Sequence, residues 1–247
     1  MATPRKKKII KRIFSLFIIF LLVLCTGFGV YVSNYYHSNT SAQNYLVSDD
    51  EVNVTHSGSR YVMSTDGSTT GFIFYPGGKV EATAYAPLLR KLAENGIFCV
   101  LVEMPFNLAV LDLSAAEEII EDYPEITTWY IGGHSLGGVM AASFAANHTD
   151  ELDGLVLLAS YSTADLSDSG LKVFSAYGSE DGVLNFDKYN EARKNLPSDF
   201  TELVIDGGCH AGFGSYGAQK GDGTPSISAD AQQDQTVDAI LKWIAGN

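Results

Sequence analysis

From residue 71 to the end, short apolar runs alternate with segments of helical spacing, and this alternation limits the possible folds more than any other feature. The runs GFIFYP (71–76), IFCVLVEMP (97–105), TTWYIGG (127–133), GLVLLAS (154–160), KVFSAYG (172–178) and TELVIDGG (201–208) have the length and the β-branched and aromatic content of strands. Several are apolar at successive positions rather than at every second one, as in strands buried on both faces. Helical patterns follow them: EATAYAPLLRKLAENG (81–96), SAAEEIIEDYP (114–124), LGGVMAASFAANH (136–148), DKYNEARKNLP (187–197) and SADAQQDQTVDAILKWIAG (228–246). Pro87 is expected to kink or restart the first of these. Ser114 with Glu117 three residues on predicts a capping box at the second. The alternation implies an α/β domain, a mostly parallel sheet with helices on both faces. VNVTHSGSRYVMS (52–64) adds an expected hairpin around Ser57 and Gly58, at a sheet edge.

The first residues do not fit this pattern. Residues 1–12 carry six basic side chains, and residues 13–32 carry no charge at all. As a helix, such a run is ~30 Å long, enough to cross a bilayer. It exceeds the ~7–15 residues of a usual signal-peptide core, and the nearest small-residue cleavage pattern, Thr40-Ser41-Ala42, is far downstream. The expected organisation is a basic cytoplasmic tail (1–12), a transmembrane signal-anchor helix (13–32), a polar linker (33–50) and a folded domain (51–247) outside the cytoplasm. The whole chain has 16 basic and 29 acidic residues. Without the tail, 10 basic residues face 29 acidic ones, a net charge of −19. A domain so acidic should repel nucleic acid, which excludes that class of partner. Three cysteines make no disulfide framework, although a Cys99–Cys209 bridge is conceivable.

One pentapeptide carries chemistry. Gly133-His134-Ser135-Leu136-Gly137 fits G-x-S-x-G, with a strand before it and a small-residue helix after it. Glycines there let a sharp turn pack against strand and helix, and the helix N-terminus supplies free N–H groups beside the serine. The ordinary alternative is a helix-capping serine in a glycine-rich turn. A serine nucleophile needs a base. Of the five histidines, His37, His56, His134, His148 and His210, only His210 lies just past a late strand at the mouth of a loop. The base needs an orienting acid. Asp181 in YGSEDGV is the first candidate, Asp206 at the end of the last strand is its rival, and Glu180 is a third. Donors for an oxyanion are expected from the N–H of Leu136 and from the N–H of Gly78 in YPGGKV. MPFNL (104–108), Tyr161 and the glycine-rich loop 211–226 are expected to contribute to the pocket.

Taken together, FYPGGKV, EMPFNLAVLD, GGHSLGG, YGSEDG and GGCHAGFGSYG resemble, in order, segments of the α/β-hydrolase superfamily, and most of all its compact, lidless bacterial branch related to dienelactone hydrolases. The resemblance covers about residues 60–246. It implies an α/β-hydrolase fold with Ser135 as nucleophile, Asp181 as acid and His210 as base, and no metal or organic cofactor. The chain departs from that branch in two places. Pro76 stands where many relatives have the His of a His-Gly oxyanion motif, and Ser135 stands where dienelactone hydrolases have Cys. The implied activity is a serine hydrolase acting on a small ester or related acyl compound. The alternatives are an acyltransferase or peptidase on the same residues, or a binding module without turnover. The sequence leaves the oligomeric state open.

Overall fold

The computed structural model describes residues 4–246. They fall into two units, one ending at Tyr35 and one beginning at Tyr36. The first holds a single helix, α1 (Pro4–Ser33). Its portion Lys11–Ser33 is 23 residues long and apolar enough to cross a membrane. A signal sequence meets the same test. Residues 1–3 of the expected basic tail lie outside the described residues.

The second unit is built on eight strands: β1 (Asn53–Ser57), β2 (Arg60–Ser64), β3 (Thr70–Tyr75), β4 (Ile97–Val102), β5 (Thr128–His134), β6 (Gly154–Leu158), β7 (Lys172–Gly178) and β8 (Thr201–Ile205). They form one sheet in the order β1-β2-β4-β3-β5-β6-β7-β8. The β1–β2 hairpin and the β2–β4 pair are antiparallel, and every other pair is parallel. The helices are α2 (Ala86–Glu94), α3 (Ala115–Asp122), α4 (Leu136–Ala145), α5 (Phe186–Ala192) and α6 (Ala229–Ala245). β6 and β7 are joined without a helix.

Both faces of the sheet are covered, which explains the unbroken apolar runs. Along β3, Phe72 and Phe74 pack with Leu88 and Leu89 of α2 and with Val237 and Ile240 of α6. The intervening Ile73 and Tyr75 pack with Ile119 of α3 and with Ala141 and Phe144 of α4. Burying each such large side chain contributes ~1.5–3 kcal/mol. A strand that does this on both faces cannot alternate apolar with polar.

Local expectations fare differently. Pro87 restarts the helix: a 3₁₀ turn, Ala82–Tyr85, precedes α2, and the proline sits in the first turn of α2, where a missing N–H costs little. β4 ends at Val102, three residues short of the apolar run, because the chain peels away towards a short turn beginning at Pro105. The capping box at Ser114 does not form. Ser114 is turn-like (φ −91°, ψ 7°) rather than extended, its side chain makes no capping bond, and its own carbonyl takes the Glu117 N–H at 2.9 Å. Ser228 shows the geometry a cap needs: it is extended (φ −73°, ψ 157°) and its hydroxyl accepts from the Ala231 N–H at 3.1 Å. Most of the segment expected as a linker is packed onto the sheet unit. Tyr36 bridges to Val80, a 3₁₀ turn covers Thr40–Leu46 with Ala42 buried, and the buried Arg90 guanidinium holds the Val47 carbonyl and the Asp49 carboxylate. Cys99 and Cys209 are buried free thiols, so no bridge joins them.

Candidate active site

The parallel register aligns the carboxyl ends of the central strands. Tyr75 of β3 lies beside Gly133 of β5, His134 beside Leu158 of β6, and Gly178 of β7 beside Ile205 of β8. The segments just past these ends carry Gly77 and Gly78, Ser135, Asp181 and His210, so one sheet edge collects residues far apart in sequence.

Ser135 is the single residue between β5 and α4, and it is held at φ 51° and ψ −120°. A non-glycine residue there costs of order 1–3 kcal/mol, and it persists only where the surroundings hold it. Here they do. The Ser135 N–H donates to the Leu158 carbonyl at 2.9 Å, and the Ser135 carbonyl accepts from the Ser160 hydroxyl at 2.7 Å. Gly137 lies so close to the backbone carbonyls of Tyr75 and Pro76 that a Cβ would collide with both. With its backbone clamped, the serine side chain lines a cleft of about 230 Å³ with Leu136, Val139, Tyr161, Leu184 and His210. Tyr161 is the one expected pocket contributor that lines this cleft; 104–108 and 211–226 lie elsewhere.

His210 follows β8. Its Nδ1 lies 2.9 Å from Oδ2 of Asp181, and both side chains are almost wholly buried. The other Asp181 oxygen accepts from the Val183 and Leu184 N–H groups at 2.9 and 2.8 Å. An ionised carboxylate only accepts, so the imidazole proton sits on Nδ1 and Nε2 keeps its lone pair. That Nε2 is buried without a hydrogen-bond partner among the described residues. The rival acids are elsewhere: Asp206 is exposed on the turn after β8, and Glu180 is exposed next to Asp181. The thiol of Cys209, adjacent in sequence, is pushed up to about 11 by burial and by the charge of Asp222. It is therefore a protonated neighbour rather than a thiolate.

Two backbone amides stand at neighbouring turns past these strand ends. The Leu136 N–H opens α4, and the Gly78 N–H stands in the loop after β3. Neither has an acceptor among the described residues. They are close, since a Cβ on Gly78 would come within 2.8 Å of Leu136 Cδ2.

Asp222 and Tyr85 are residues that sequence reasoning missed. The Asp222 carboxylate accepts from the N–H groups of His210 at 3.1 Å, Ala211 at 2.8 Å and Gly182 at 3.1 Å. It thereby ties the loop carrying His210 to the turn carrying Asp181. Burial pushes this carboxyl up, but those N–H groups outweigh it and hold it below the usual carboxylate range. In the sequence, KGDGTPS reads only as a glycine-rich turn. Tyr85 accepts from the Gly77 N–H and touches His134. In the sequence it reads as one more apolar position of a helix.

Residues 71–234 match the sequence profile of the Alpha/beta hydrolase family, and the chain belongs to that family. A protein of Mycobacterium phage D29, provisionally named a non-heme haloperoxidase, is 30% identical over 117 residues, which is 44% of this chain and 42% of the relative. The match thus spans less than half the length of that curated relative. Among solved structures, a predicted CIB-like hydrolase from Thermoplasma acidophilum aligns with TM-score 0.56 at 16% identity, over 76% of this chain and 98% of its own. A provisionally assigned lipase from Acinetobacter baumannii AYE aligns with TM-score 0.57 at 12% identity, over 84% and 95% respectively. At such identities the likeness is one of fold.

Proposed function

We propose that the protein is a serine hydrolase that cleaves esters or related acyl bonds through an acyl-enzyme at Ser135. One observation carries the reading: a buried Asp181–His210 pair leaves the His210 Nε2 unpartnered, in a cleft whose wall also carries a serine on a strained strand-to-helix turn. In this mechanism, His210 Nε2 takes the Ser135 proton as Oγ attacks the acyl carbon. Asp181 holds the proton on Nδ1 and stabilises the imidazolium that forms. The Leu136 and Gly78 N–H groups donate to the developing oxyanion. His210 then gives its proton to the leaving oxygen, and the acyl group stays on Ser135. Water, deprotonated by the same Nε2, releases the acid and restores the serine.

The cleft suits a small acyl group. At ~30 Å³ per water-sized group, about 230 Å³ holds roughly eight of them, against walls that include Leu136, Val139 and Leu184. The domain is held at the cell membrane by residues 13–32, with residues 1–12 in the cytoplasm and the hydrolase domain outside. Packing of residues 36–46 supports an uncleaved anchor, because cleavage near Gln43 would cut through a turn that buries Ala42.

The test uses the full chain in detergent with a fluorophosphonate probe and a chromogenic short-chain ester. The probe should label Ser135. Ser135→Ala and His210→Ala should each lower kcat by several orders of magnitude, and the double variant should be little worse, since the two act as a unit. Near-wild-type turnover by either single variant overturns the assignment.

A further inference from the structure

A chain of buried groups joins the loop after β3 to the end of β5. The Gly77 N–H donates to the Tyr85 hydroxyl oxygen at 3.1 Å, and that oxygen lies 2.8 Å from Nδ1 of His134. Tyr85 and His134 are both buried. Either proton arrangement keeps the three groups joined: Tyr85 donates to His134 Nδ1, or a proton on Nδ1 is donated to the Tyr85 oxygen. In both, His134 Nε2 is buried without a hydrogen-bond partner among the described residues. Burial, and after it the nearness of His210, hold the His134 imidazole well below its usual range, so the ring is neutral.

The loop on the other side of Tyr85 needs this support. Gly77 and Gly78 are consecutive glycines, the residue with the widest backbone freedom. Gly77 cannot be replaced to stiffen the loop, because a Cβ there would come within 2.7 Å of both His134 Nδ1 and the Tyr85 oxygen. The loop is instead tied on either side of Gly78. Gly77 is held by Tyr85, and the Lys79 N–H donates to the Asn107 carbonyl at 2.7 Å. The Gly78 N–H between them has no acceptor among the described residues.

We propose that Tyr85, acting through His134, is a positioning residue for the oxyanion loop: it ties Gly77 to the end of the strand that leads into Ser135 and so aims the Gly78 N–H. The same strut presses the His134 ring against His210, with ring centroids 4.5 Å apart. A neutral ring there supports the imidazole without repelling the positive charge that His210 gains. The proposal rests on the serine-hydrolase reading of Ser135.

The test compares the full-length wild type, Tyr85→Phe and His134→Gln. It measures kcat and KM on a chromogenic short-chain ester, the inhibition constant of an alkylboronic acid that forms a tetrahedral adduct on the serine, and the melting temperature. Deleting an oxyanion donor outright costs ~10²–10³ in kcat, so misaiming one should cost less. Tyr85→Phe should lower kcat about 10- to 100-fold, with KM within about twofold. Boronate affinity should fall in step with kcat, because only the tetrahedral species uses the Gly78 N–H. His134→Gln, whose amide oxygen can still accept from Tyr85, should lose less, and it carries the test if Tyr85→Phe does not fold. Wild-type kcat and boronate affinity in a folded Tyr85→Phe, or a loss confined to KM, overturn the strut and leave the Ser135 reading standing. A wild type whose turnover survives Ser135→Ala overturns both.

Discussion

Asp181 and Asp206 are aspartates at the ends of neighbouring strands, and their surroundings separate them. Asp181 spends both oxygens, one on His210 and one on two backbone N–H groups, in a position closed to water. Asp206 is exposed on the turn after β8. Only the first can hold an imidazole in one tautomer. An amide in place of such an acid costs ~10⁴ in kcat in a serine protease. We therefore expect Asp181→Asn to be nearly inactive, while Asp206→Asn and Glu180→Gln keep most activity, with all three folded by circular dichroism. A folded Asp181→Asn at the normal rate, beside an inactive Asp206→Asn, would move the acid to Asp206. At this scale the sequence is legible where chemistry imposes spacing: Ser135 announces itself because its turn demands glycines around it. Tyr85 does not, because nothing local marks a helical tyrosine whose hydroxyl meets a loop and a strand end.

Among the elements, the regular ones follow from pattern and the irregular ones do not. Six apolar runs became β3 to β8; β3 to β7 are buried on both faces, which leaves little place for polar residues, while β8, at the end of the strand order, is mostly exposed. The loop 211–226 gave no period to read, and scattered bonds order the chain there, the Asp222 carboxylate among them. Asp222 gathers N–H groups from both sides of the site, a role visible only once β7 and β8 lie side by side. The failed cap at Ser114 makes the same point, since residue type suited the role and backbone angle did not. Asp222 also gives the domain a pH signature. Its folded-state pKa lies below the ~3.9 of an unfolded aspartate, so its contribution is present above that value and is lost as pH falls through the folded one. Asp222→Asn should lower the Tm by several degrees at pH 6–7, and the gap to wild type should shrink towards pH 3, as read by calorimetry. A gap as wide at pH 3 as at pH 7 would assign the loss to side-chain shape rather than charge.

On the scale of the whole molecule, the described residues comprise one helix fit to cross a membrane and one sheet domain. With the anchor uncleaved, protease added to intact cells should destroy an epitope at the C-terminus and spare one at the N-terminus. A mature chain beginning near Gln43 would instead establish a signal peptide. The order of the sheet has a further consequence, for the time at which activity can arise. The proposed machinery runs from Gly78 to His210 on loops that follow β3, β5, β7 and β8, and each parallel pairing between them requires a crossover. Such non-local contacts close slowly, because loop entropy must be overcome before they contribute. A chain synthesised as far as α4 already has Ser135 but neither its acid nor its base, and His210 arrives only after the last strand. On the proposed mechanism, partly folded chains are then chemically silent, and hydrolysis begins only after the last strand has joined the sheet.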